Sequence, residues 1–221
     1  MDIPAESFKR LQRAAFPVYA VPPSKWSGDV MVGGGWGTDK HPLSVWITYE
    51  DDVASEPRGP RIQIVSTGPE GLGHRGPDVH LGNEHSYPNE VVNFFNQFMR
   101  LEERPVPGSE RFNATRVEGK LVPRTVYLPS AGPRRVLPAR PFKDGGVVEP
   151  VTFDEHPEFR IYRVRPPDVE ILVMARGYDD DYLSELLTKL RPVDGDPGLL
   201  AELERAQHAA WAKIRERKRR R

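Results

Sequence analysis

Hydrophobic positions along this chain follow two periods, and the clearest switch between them lies at Asp168–Pro192. Val169, Ile171, Val173 and Ala175 recur every second residue, with Leu172 and Met174 on the opposite face, which is the period of a strand. Gly177 breaks the run. Asp179, Asp180 and Asp181 then place carboxylates where a helix start offers free amides and a favourable dipole. Leu183, Leu186, Leu187 and Leu190 follow at i, i+3, i+4 and i+7, one face of a helix that Pro192 stops. Burying those four leucines gives roughly 6–12 kcal/mol before chain entropy is subtracted. The unit must be core.

Weaker versions of both periods run through the rest of the chain. Residues 4–15 suit a short amphipathic helix with Phe8, Leu11 and Ala15 on one side, ended by Pro17 and serving as a packing arm. Leu43–Tyr49 and Arg61–Thr67 alternate and are rich in β-formers, so they pair as a hairpin across the acidic connector between them. Gly68–Pro88 reads as loop, followed by a helix from near Ser86–Asn89 to about Glu103 with Val91, Phe95 and Phe98 as its stripe. Residues 111–117 and 120–128 flank a two-residue turn at Glu118-Gly119, and Pro123 confines its strand to an edge or a bulge. The proline-studded stretch 129–141 reads as connection, with strands near 147–153 and 158–164.

Asp196 and Pro197 mark the start of a final helix, and Leu199, Leu203, Ala206, Ala210 and Ile214 give it a continuous face over about 18 residues, or roughly 27 Å. No internal repeat is visible. Strands outnumber helices without βαβ alternation, so the expected class is α+β: a mainly antiparallel sheet packed by helices, with a long C-terminal helix. Residues 1–195 read as one domain, with 1–20 as its arm or short helix, and 196–221 as the C-terminal helix with a basic tail.

Composition narrows the possible chemistry. Twenty-three prolines and nineteen glycines imply much loop and turn. The absence of cysteine excludes disulfides, thiolate metal sites and cysteine nucleophiles. Formal net charge is zero, yet Trp211–Arg221 holds seven basic residues against Glu216, an excess of six that the remainder must balance with negative charge. The amino terminus lacks the apolar segment of a signal peptide, and no run approaches the roughly 18–20 apolar residues of a membrane span, so a cytoplasmic location is expected. Arginine strongly outnumbers lysine, which points to a GC-rich, actinobacterium-like source.

The order of a VEGK turn (Val117–Lys120), later strands, and VEILVMARG before a leucine-striped helix resembles uncharacterised small α+β proteins of Streptomyces-type actinobacteria. The resemblance covers the second half of the chain and implies a fold layout, with no activity to carry over.

Candidate chemistry is sparse. His74, His80 and His85 lie within twelve residues, with Asp78, Glu84 and Glu90 nearby, and imidazole with carboxylate suits zinc or another divalent metal. Their spacing matches no compact metal motif, so solvated loop histidines are the competing reading. Gly33-Gly34-Gly35-Trp36-Gly37 lacks the GK[ST] of a phosphate loop and reads as a turn with an aromatic plug. The three aspartates at 179–181 read as caps before they read as a cation site. No GxSxG elbow occurs, and Asn113-Ala114-Thr115 is a chance glycosylation sequon.

Two features point to partners. Lys213, Arg215, Arg217, Lys218, Arg219, Arg220 and Arg221 could meet nucleic acid, an anionic surface or an acidic protein, or form a solvated helix end. Trp46, opposite the core-facing Val45 and Ile47, and Phe94, off its helix stripe, could form an exposed apolar patch. The leading expectation is a non-catalytic, cytoplasmic protein that binds another protein, with no cofactor. Its rivals are a metal-dependent hydrolase using His74, His80, Glu84 and His85, and a binder of anionic polymers through the tail.

Overall fold

Alternation of apolar and polar residues is realised as a large antiparallel sheet and two two-stranded ladders, seen in a computed structural model that describes residues 3–34, 37–38, 40–53, 59–74, 110–117, 120–127, 134–153 and 157–220. In chain order the elements are α1 (Ile3–Arg13), β1 (Tyr19–Ala20), β2 (Asp29–Gly34), β3 (Ser44–Glu50), β4 (Arg61–Thr67), α2 (Pro69–His74), β5 (Glu110–Val117) and β6 (Lys120–Tyr127). They continue with β7 (Arg134–Val136), β8 (Arg140–Pro141), β9 (Val147–Phe153), β10 (Phe159–Arg165), β11 (Glu170–Arg176), α3 (Asp180–Lys189), β12 (Arg191–Pro192) and α4 (Pro197–Arg220). The main sheet runs β2-β3-β4-β11-β10-β9-β7, with β8 also paired to β9. The fold is α+β, with helices packed on an antiparallel sheet and a long helix at the C-terminal end.

The sheet consists of two three-stranded meanders that meet at β4 and β11, where Ile64 lies opposite Val173. Stepping outward from that pair reaches Ile47 and then Val32 on one side, and Tyr162 and then Pro150 on the other. Each step lands on the matching position of the matching strand, so the meanders are related by a two-fold axis normal to the sheet. The correspondence includes the closing bonds: Gly68 N donates to Leu43 O at 3.2 Å, and Gly177 N donates to Glu158 O at 2.9 Å. A helix follows each glycine. Side chains hide this repeat, since the paired strands and their closing glycines agree only at Val30 and Val148, Ile62 and Ile171, and Gly68 and Gly177. Register belongs to the backbone, whereas side chains answer to whatever covers each face.

One face of the sheet carries the helices. Val45, Ile47, Tyr49, Ile62, Ile64, Tyr162, Val164, Ile171, Val173 and Ala175 form a continuous core with Leu183, Leu186, Leu187 and Leu190, all buried. Asp179 caps α3 by accepting Tyr182 N at 2.8 Å. Pro192 does follow the end of that helix, but it also pairs with Tyr19 in a two-residue ladder between β12 and β1. Helix α1 buries Phe8 and Leu11 but ends at Arg13, so Ala15 is exposed rather than part of the stripe. Phe16 takes the apolar role, seated on Gly68, where a Cβ would lie 2.4 Å from its ring.

Three further expectations are corrected. Gly33 and Gly34 belong to strand β2 rather than to a turn, because Gly33 leaves the space that the Trp46 ring fills; a Cβ there would lie 2.0 Å from the indole. Short strands β7 and β8 occupy the stretch read as connection, pairing along the edge of β9 where prolines permit only brief ladders. Helix α4 runs 24 residues, about 36 Å, because its arginine- and lysine-rich end keeps helical propensity after the apolar face stops. The β5–β6 hairpin pairs Val117 with Lys120 and Ala114 with Pro123, as expected. The helix expected over 86–103 lies outside the described residues.

Helix α4 closes the sheet margin at β2. Its buried Leu199 and Leu203 join the core, and Gln207 Oε1 accepts the outward-pointing Val32 N at 2.9 Å. That bond satisfies an edge amide that would otherwise have no strand partner.

The opposite face of the sheet is buried but partly charged. Cross-strand partners Glu50 and Arg61 approach to 3.0 Å, and Arg61 also donates to Thr48 Oγ1 at 3.3 Å. At the two-fold-related corner the signs are exchanged: Arg165 lies 3.8 Å from Glu170, which also holds Arg163. Breaking a buried pair from one side strands the other charge. Arg61→Leu is therefore expected to cost about 3–5 kcal/mol, and Glu50→Leu added to it should restore most of that loss, as measured by urea unfolding of the single and double variants.

Candidate functional site

The residues singled out by sequence do not gather at one place among those described. His74 closes α2, while His80, Glu84 and His85, with Asp78 and Glu90, lie outside the described residues. Among the described residues no three metal-ligating side chains come together. Trp46 is half-buried, lies against Gly33 and donates its indole N–H to Gly34 O at 2.9 Å. Its partner in the proposed apolar patch, Phe94, lies outside the described residues. His41 instead pairs at the surface with Glu70, 2.7 Å away.

The three aspartates separate by role. Asp179 caps α3, and Asp180 accepts the Tyr162 hydroxyl at 2.5 Å and Arg160 Nε at 3.2 Å, which ties the helix start to β10. Asp181 is exposed. No shared cation is needed to explain them.

An aromatic corner that the sequence reading did not single out lies where the ends of β3 and β11 meet the start of α3. Trp26 packs edge-on to Tyr49 with ring centres 5.5 Å apart, and lies 5.8 Å from Tyr178 and 6.5 Å from Tyr182. Tyr178 and Tyr182 stack at 5.0 Å with planes 20° apart. The base is fixed: the Tyr49 hydroxyl donates to Val21 O and accepts from Val21 N, both at 2.8 Å. The outer part is open, since Tyr182 is 38% exposed and the neighbouring Asp51, Asp52, Asp179 and Asp181 are exposed. Tyr178 donates to Asp51 Oδ1 at 3.2 Å.

Electrostatics at this corner keep its phenols protonated. Burial raises the Tyr178 phenol above its ordinary value, and the Asp51 carboxylate raises it further. Tyr182 is also raised, mainly by burial, against a partial offset from Lys189. Phenols held protonated at neutral pH donate hydrogen bonds but do not serve as bases. The corner therefore offers a flat aromatic surface beside negative charge, which suits a cationic side chain. The signal was present in sequence as YDDDY, with tyrosines at i and i+4 across the capping aspartates.

The basic tail begins at an anchor. Lys213 Nζ lies 2.6 Å from Asp29 Oδ1, and Asp29 Oδ2 accepts Val53 N at 3.0 Å. Beyond it, Arg215, Lys218, Arg219 and Arg220 are exposed, and Arg220 pairs with Glu216 one turn earlier. Arg217 is half-buried and engaged, and Arg221 lies outside the described residues. No helix among the described residues is long and apolar enough to cross a membrane. No protein-family model, curated protein or solved structure matches the chain.

Two tests follow from these contacts. Burial raises Tyr49, Tyr162 and Tyr178 above the ordinary phenol value, so the folded chain retains protons that the unfolded chain would release. Their stabilising contribution is complete below about pH 10 and declines as pH rises beyond it, so the thermal midpoint should fall there. Phenolate absorbance from these three should then appear together with unfolding rather than before it. Separately, Asp29 is only 6% exposed and Lys213 52%. Lys213→Ala should therefore cost about 1–2 kcal/mol in urea unfolding, below the value for a fully buried pair, with Lys213→Arg nearer the parent.

Proposed function

We propose that this chain is a non-catalytic, cytoplasmic protein of actinobacterial type that binds another protein at its Tyr178–Tyr182 corner. The observation carrying this reading is the stacked tyrosine pair, exposed at its outer ring and seated on a Trp26–Tyr49 base. Fixed aromatic side chains contribute large contact area at little entropic cost, which is why they act as anchors in protein interfaces. Exposed Asp51, Asp52, Asp179 and Asp181 around them favour a partner surface bearing arginine or lysine, through charge attraction and contact with the aromatic faces.

Photo-cross-linking tests the reading. A benzoylphenylalanine introduced at Tyr182, and separately at exposed Glu204 on α4, is irradiated in extract of the native host. The expected result is a discrete adduct from position 182 alone, diminished by the combined Asp51→Asn and Asp52→Asn substitution. Identical adducts from both positions, or none from either, would reject docking at this corner. Turnover in a hydrolase screen with added zinc, abolished by His80→Ala, would favour the metal-dependent alternative instead.

A further inference from the structure

Charge in this protein is separated along the chain, and the positive part is held on a rigid rod. The last fully buried residue of α4 is Ala210, and the helix continues ten residues to Arg220, about 15 Å. Among Lys213, Arg215, Arg217, Lys218, Arg219 and Arg220 the only acid is Glu216. At 3.6 residues per turn Arg215, Lys218 and Arg219 share one sector of the axis and Arg220 lies across from Lys218, so the exposed cations beyond the Lys213 anchor occupy opposite sides rather than one stripe. The apolar residues of this segment larger than alanine, Trp211 and Ile214, are both half-buried, so the helix end has no free greasy face.

That distribution discriminates among polyanions. A helix lying on a lipid surface needs an apolar side to insert, with cations on the other. A helix in the major groove of B-form DNA, about 12 Å wide, meets phosphates on both walls and profits from cations on opposite sides. The deep, narrow major groove of A-form RNA does not admit side chains in this way. Whole-chain neutrality leaves the body, without Trp211–Arg221, carrying six net negative charges, so phosphate attracts the helix end while repelling the rest.

We infer that the exposed end of α4 is a docking element for B-form DNA, binding phosphates without reading sequence and separate from the tyrosine corner. Arg215, Lys218, Arg219 and Arg220 make the contacts, and the Lys213–Asp29 pair fixes the direction in which the rod leaves the body.

The test is fluorescence anisotropy of a short labelled DNA duplex titrated with the full chain, alongside heparin competition and co-sedimentation with phosphatidylserine vesicles. With about four phosphates engaged, affinity should fall roughly 100-fold between about 50 and 200 mM salt. Combined Arg215→Gln, Lys218→Gln, Arg219→Gln and Arg220→Gln should weaken low-salt binding by a similar factor and flatten the salt dependence. Circular dichroism should show unchanged helicity for that variant, since glutamine retains helix propensity. Three results would overturn the inference: no duplex binding at low salt, unchanged binding by the glutamine variant, or vesicles or heparin held more tightly than duplex. As a second variant, Lys218→Glu with Arg219→Glu must also lose duplex binding while keeping the parent thermal midpoint; retained binding would count against the inference.

Discussion

Antiparallel pairing of β4 with β11 joins the two three-stranded halves of the main sheet, and the rest of that sheet is built outward from it. The paired residues Ile64 and Val173 stand about a hundred positions apart, so the seam closes a long loop before it gains any ladder bond. Its return is a continuous apolar row. Val32, Ile47, Ile64, Val173 and Tyr162 lie side by side across five strands and give the helices a single surface on which to pack. Moving the seam by one residue would turn that row to the other face and bring its buried charged neighbours under the helices.

Local patterning was legible because local forces decide it. The leucine stripe at 183–190, the caps at Asp179 and Asp196, and the alternation in β3, β4, β10 and β11 all depend on neighbours within a few residues. The seam was not legible in the same way. Nothing in Arg61–Thr67 specifies Glu170–Arg176 as its partner, since both are apolar-rich strands with several available mates. Strand β2 was obscured because Gly33 and Gly34 look like turn residues until Trp46 is known to occupy the space above them. The underlying two-fold repeat was hidden for a related reason: Glu50 and Arg61 correspond to Arg165 and Glu170, so the same ion-pair logic is written with opposite signs.

The aromatic corner shows where composition-based searching runs out. Trp26, Tyr49, Asp51, Tyr178 and Tyr182 come from three separated stretches, and only YDDDY leaves a local trace. Attention to histidine spacing favours a stretch that is contiguous in sequence. A surface assembled by the sheet becomes visible only once β3 and β11, on either side of β4, end at the same margin. The basic rod is the opposite case, since its charge was plain in sequence and only its helical continuity and the exposure of Arg215, Lys218, Arg219 and Arg220 had to come from the fold.

The single bond from Val32 N to Gln207 Oε1 has a consequence for the chain's behaviour outside its native state. Were α4 to detach, or were translation to stall before residue 207, the Val32 amide at the edge of β2 would lose its acceptor beside the apolar side chains of Val30 and Val32. Such a margin is a template on which a strand from another molecule can add. The closing helix therefore guards against polymerisation as well as completing the core, and nascent chains remain vulnerable until its synthesis is nearly finished.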